Sequence, residues 1–129
     1  ILLLLTEDKT AFSGRNPEPQ IIAEAIAAFQ YNNNARESVS LPRIDEMVFP
    51  CITMIGTRPT FYKIPVTTQL SSAVAAGMYP EQTTQVVKCL VPSRRASEGM
   101  EIPIYRRNAL QYLVAFRDLA RPLWKRYYV

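Results

Sequence analysis

Histidine is absent from all 129 residues, and cysteine occurs only at Cys51 and Cys89. The missing imidazole excludes His-ligated metal centres, Ser–His and Cys–His nucleophile pairs, and histidine general acid–base chemistry. Any metal must then be a hard cation held by carboxylate and backbone oxygen, which means Mg²⁺ or Mn²⁺. Two cysteines make no disulfide framework. Both lie in apolar, β-favouring stretches and are expected as buried free thiols, in keeping with a reducing intracellular compartment, nuclear or cytoplasmic, while a secreted protein with one bridge stays open as the alternative. Long hydrophobic runs are missing too. The apolar start Ile1–Leu5 falls far short of the roughly 20 residues of a membrane-spanning helix. It also lacks the basic flank and cleavage site of a secretory leader. Internal repeats and low-complexity tracts are absent. The first residue is Ile, which reads as a processed product or as part of something longer.

What is present fits one ordinary globular domain, 48% apolar and 20% charged, with room for a single core. The net charge of +4 is unevenly placed. Beyond Pro92, Arg94, Arg95, Arg106, Arg107, Arg117, Arg121, Lys125 and Arg126 face only Glu98, Glu101 and Asp118. That asymmetry suits a polyanion, and it equally suits the solvated face of an amphipathic helix.

Element order follows from periodicity and turn chemistry. An apolar strand, Ile1–Thr6, runs into Glu7-Asp8-Lys9. A loop follows, and Pro17-Glu18-Pro19 sets up a helix over Gln20–Tyr31 that Asn32-Asn33-Asn34 is expected to end. Met47–Ile55 and Thr60–Val66 read as a hairpin about Gly56-Thr57-Arg58-Pro59, with at least one of Pro50 and Pro65 at an edge or bulge. Thr67–Ala76 reads as a short helix, N-capped by Thr67 or Thr68 and closed by Gly77. Thr83–Val91 reads as a strand. The last helix starts near Pro103, with Tyr105, Ala109, Tyr112, Phe116, Leu119 and Leu123 on one stripe. Pro122 is expected to kink or end it. The fold class is α/β or α+β: a mixed central sheet flanked by helices.

Strand alternation puts Glu7 and Lys9 on one face and Asp8 on the other. The helix then carries Gln20 and Glu24 four residues apart. A carboxylate and an ammonium side by side at a strand end suit metal-assisted attack on a phosphodiester. An exposed strand end whose charges pair with each other explains the tripeptide as well. With Glu7 and Lys9, then Gln20 and Glu24, then the hairpin Met54–Tyr62, the chain resembles the PD-(D/E)XK nuclease superfamily. It is similar in particular to nuclease-like domains of fungal proteins. The resemblance covers about the first half of the chain.

The resemblance implies a restriction-endonuclease-like core lacking its N-terminal part, because the family's separate acid precedes the (D/E)-x-K strand. Asp45 or Glu46 is a candidate replacement. It implies Mg²⁺-dependent (or Mn²⁺-dependent) DNA hydrolysis, with Glu7, Lys9, Gln20 and Glu24 at the site and Glu7 and Glu24 toward the metal. Charge adds Arg58, Arg94 and Arg95 as contacts to the nucleic-acid backbone. The expected partners are nucleic acid, DNA ahead of RNA, and either a second copy or the missing N-terminal segment, with no membrane. The alternative is a catalytically inactive nuclease-fold module that binds nucleic acid or protein.

Overall fold

The chain runs β1 (Leu4–Asp8), α1 (Glu18–Ser38), β2 (Glu46–Ile55), β3 (Arg58–Thr67), α2 (Thr68–Ala75), β4 (Val87–Leu90) and α3 (Pro103–Lys125). The structure is a computed structural model, which describes residues 1–8, 16–95 and 97–127 without the side chains of Glu7 and Asp8. The strands form one mixed sheet in the order β1-β2-β3-β4, with β1 parallel to β2 and the other pairs antiparallel. The expected mixed sheet with flanking helices is present.

The sheet separates two cores. Met47, Phe49 and Cys51 of β2 and Tyr62, Ile64 and Val66 of β3 pack against Ile21, Ala25 and Phe29 of α1. On the other face Phe61 and Ile52 meet Tyr105, Ala109, Tyr112 and Phe116 of α3. The Phe61 and Phe116 rings lie 5.1 Å apart, centroid to centroid, in a tilted arrangement. Phe29 and Phe49 are completely enclosed, so truncating either to Ala costs about 3–5 kcal/mol.

The hairpin turn is shorter than its sequence suggests. Gly56 and Thr57 alone form it, while Arg58 and Pro59 already belong to β3. Gly56 has φ +59° and Thr57 does not share the positive sign, the pattern of a type II′ turn that matches strand twist. Three prolines sit within this ladder at tolerated places. Pro50 lies just outside the span that β1 covers, and Pro59 and Pro65 lie outside the span that β4 covers. Among the described residues each has a neighbouring strand on one side only, which leaves the missing N–H an open side.

Several expectations need correction. α1 does not stop at Asn32-Asn33-Asn34 but continues to Ser38. Asn33 is buried and uses both ends of its amide, donating to the Ile44 carbonyl at 3.1 Å and accepting from the Ile44 N–H at 2.7 Å. The helix instead ends with Ser40 at φ +59°. There the Ser40 N–H donates to Glu37 O and the Leu41 N–H to Arg36 O, a Schellman closure. Gly77 closes α2 in the same way, and Thr67 caps its start by accepting from the Leu70 N–H, as expected.

The strand expected over Thr83–Val91 is confined to Val87–Leu90, and Cys89 on it is exposed, not buried. It lies on an edge strand, which alternation alone does not reveal. Pro122 neither ends α3 nor separates Trp124 from it. It falls in the last turn and forfeits one bond there, the one an N–H would give to the Asp118 carbonyl, while buried Ala120 and the Trp124 indole hold that end in place.

Ser40 is exposed and pays the steric cost of a left-handed conformation, so Ser40→Gly should stabilise the protein by about 1 kcal/mol. Urea unfolding reads this directly. An unchanged or lower midpoint would contradict the Schellman assignment.

Candidate functional site

The site is built where α1 crosses the sheet. Its first turn lies over β3 and β4, its middle over β1, and Asn32 farther along over the segment that leads into β1 and the start of β2. The crossing brings Glu24 to β1. Thr6 Oγ1 donates to Glu24 Oε2 at 2.8 Å, and Gln20 Nε2 donates to Glu24 Oε1 at 3.0 Å. The i, i+4 spacing of Gln20 and Glu24 makes the second bond local, while Thr6 provides the tertiary one. Thr6 sits in the row of Leu4, which packs on the α1 core, and Leu5 between them is exposed.

Glu24 is half-buried, and among the described residues each of its carboxylate oxygens accepts a single bond. Its charge reaches the core below. Burial, and secondarily Glu24, push the Cys51 thiol up to about 12. Beside Thr6 in register lies Thr53, whose hydroxyl is buried and has no hydrogen-bond partner among the described residues.

Glu7 and Asp8 lie on the β1 backbone opposite Met54 and Ile55, immediately after Thr6. Their side chains, and all of Lys9, lie outside the described residues. Asp45 and Glu46 are at the other end of β2. Glu46 is eight residues from Met54, about 26 Å along an extended strand, so neither can complete a site at Glu7.

Arg58 starts β3 at the same end of the sheet as Glu7 and Asp8. Its Nη2 donates to Ser93 Oγ at 3.0 Å, and its guanidinium lies 5.9 Å from the centroid of the Tyr105 ring. The loop after β4 is drawn onto the hairpin tip. The Met100 N–H donates to Thr57 Oγ1, whose hydroxyl donates to Glu101, and this bond holds the Glu101 carboxyl below its usual range. Gly99 approaches so closely that a Cβ there would fall 2.1 Å from Thr57 Oγ1. Arg94 and Arg95 are exposed on this loop. A groove of about 580 Å³ runs between tip and loop, past Gly56, Arg58 and Tyr105.

A second polar group, unanticipated from sequence, clamps the helix start. Glu18 forms an ion pair with Lys88 of β4, and Tyr62 Oη lies 3.5 Å from the same carboxylate. The Lys88 hydrogen bond holds the Glu18 carboxyl below its ordinary 4.5, and its counterpart raises the Lys88 ammonium above its ordinary 10.5. The lowered acid contributes stability above about pH 4.5 and loses it as pH falls through the lowered value. The raised base contributes below about pH 10.5 and loses it as pH rises through the raised value. Nothing in the Glu18 segment announces a partner 70 residues away, which is why sequence reasoning misses it.

No group of three or more His, Cys, Asp or Glu side chains able to hold a metal is found among the described residues, and none of their helices is long and apolar enough to cross a membrane. No protein-family model, curated protein or solved structure matches the chain.

Two outcomes follow. In native protein a thiol reagent should modify Cys89 and spare Cys51, with both reacting in denaturant; equal native reactivity would remove Cys51 from beneath Glu24. Carboxylate NMR titration should show Glu18 protonating below its ordinary value, and Lys88→Ala should return it toward that value.

Proposed function

We propose that the chain is the core of a PD-(D/E)XK-like nuclease that hydrolyses phosphodiester bonds of DNA with Mg²⁺ or Mn²⁺. The observation that carries this reading is the Thr6–Glu24 hydrogen bond. It sets a helix carboxylate against the strand residue that immediately precedes Glu7, inside a parallel β1–α1–β2 unit. Clefts outside the carboxyl ends of such strands are the usual ligand sites of α/β folds.

In this reading Glu7 and Glu24 hold the metal, with one lone pair on each Glu24 oxygen unused by Thr6 and Gln20. Once bound, the cation supplies charge neutralisation at the phosphate and a more acidic water. Gln20 and Thr6 fix the Glu24 rotamer, so the carboxylate needs no reorganisation. Lys9, two residues beyond Glu7, would orient the attacking water, and its ammonium would stabilise the charge that builds on the phosphate. Arg58, Arg94 and Arg95 lie at the same end of the sheet and track the DNA backbone. Arg58 does so from a fixed position set by Ser93 and Tyr105.

The test is cleavage of plasmid DNA with Mg²⁺ or Mn²⁺. Glu7→Ala and Lys9→Ala should abolish activity, and Glu24→Gln should lower it by about 10–100-fold. Cleavage indifferent to both Glu7→Ala and Lys9→Ala sinks the nuclease reading. Binding that weakens steeply with salt, without cleavage in any metal, assigns the chain to the inactive binding module instead.

A further inference from the structure

We propose that the trough between β4 and α3 binds a medium-chain fatty acid, with the alkyl tail in the trough and the carboxylate at Lys63. The site lies on the face of the sheet opposite Glu24 and is independent of the nuclease reading.

Helix direction makes the space. α3 begins beside the hairpin tip, where the Arg58 guanidinium lies near the Tyr105 ring. It ends at the starts of β1 and β2, where Trp124 donates to the Leu2 carbonyl and Tyr127 to the Glu46 carbonyl. β4 stands at the edge opposite β1, so the helix draws away from it as it runs. The gap is closed toward the tip, where the Phe61 ring lies 5.1 Å from Phe116 and 6.5 Å from Tyr112. It widens toward Val87, the first residue of β4. What remains is an almost wholly apolar trough of about 240 Å³. Val87 and Cys89 line one side, Ala115, Phe116 and Leu119 the other, and buried Phe61 the floor.

Size and charge together choose the occupant. The volume falls below the range of about 300–1,000 Å³ usual for drug-sized ligands, and it suits one short alkyl chain. Lys63 pairs with Val87 in register, so it stands at the wide end, on the same face as Phe61 and two residues beyond it. It is the one charged residue lining the trough, and it takes part in no salt bridge among the described residues. An ammonium at the mouth of an apolar channel takes an anionic head through a charge-assisted hydrogen bond and repels a cationic one. Tail slot and head anchor therefore follow one another along a single face of β3.

The probe is octanoate, titrated into the full chain by calorimetry and amide NMR, with octanol and octylamine as comparisons. Octanoate should shift β4, Phe61–Lys63 and the trough side of α3, and should slow modification of Cys89 by a thiol reagent. Each methylene added from hexanoate to octanoate should tighten binding about fourfold. Octanol and octylamine should bind about tenfold more weakly than octanoate. Lys63→Met keeps an unbranched stem and removes the charge, so it should erase the preference for octanoate over octanol. Ala115 lines the trough and is exposed, so Ala115→Trp fills the space without entering the core and should abolish the protection of Cys89. Absence of octanoate binding, equal binding of octanol, or a preference that survives Lys63→Met would each overturn the proposal. So would protection of Cys89 by phosphatidylglycerol vesicles but not by octanoate, which assigns the trough to a bilayer lipid, or by dimerisation of the chain.

Discussion

The pairing of β2 with β3 is the constraint on which the rest depends. Ten consecutive residue pairs lock these strands, from Glu46 opposite Thr67 to Ile55 opposite Arg58. Because side chains alternate, this register decides which residues enter each core: Phe49, Cys51 and Ile64 beneath α1, Ile52 and Phe61 beneath α3. A slip of one residue would exchange the two sets and leave neither helix a surface to cover. The tight turn at Gly56 fixes the register at one end. β1 and β4 are then added on either side of a hairpin whose faces are already determined.

That arrangement also gathers chemistry at one end. The last residues of β1, the hairpin tip and the loop after β4 meet where β2 turns into β3. The backbone of Glu7 and Asp8, the Glu24 carboxylate and the guanidinium groups of the tip and loop therefore lie toward one end of the sheet without sharing an element. The acids at the start of β2 belong to the opposite end. Position along a strand separates them from Glu7 more firmly than any charge argument.

Much of the fold could be read from local pattern. The two long strands, the Thr67 cap, the Gly77 closure and the start of α3 all carry their signals within a few residues. The misreadings share a physical cause. Asn33 looks like a helix terminator until Ile44 satisfies its amide, and Ser40 takes a left-handed conformation that sequence assigns to Gly or Asn. Cys89 looks buried because alternation distinguishes faces, not whether a further strand or helix covers them. At the candidate site, the Gln20–Glu24 pair was legible from helical spacing. Thr6 and the Glu18–Lys88 clamp were not, because each depends on the angle at which α1 crosses the sheet.

The indole of Trp124, the chain's one tryptophan, donates to the Leu2 carbonyl at 2.9 Å across 122 residues of sequence. It joins the end of α3 to the segment that leads into β1, the edge strand bearing Glu7. An intrinsic fluorophore is thereby attached to the element most distant from it along the chain. Its emission reports, without any label, whether β1 is seated when metal, nucleic acid or denaturant is added. Loosening of that strand can be followed separately from unfolding of the hairpin, where no tryptophan resides.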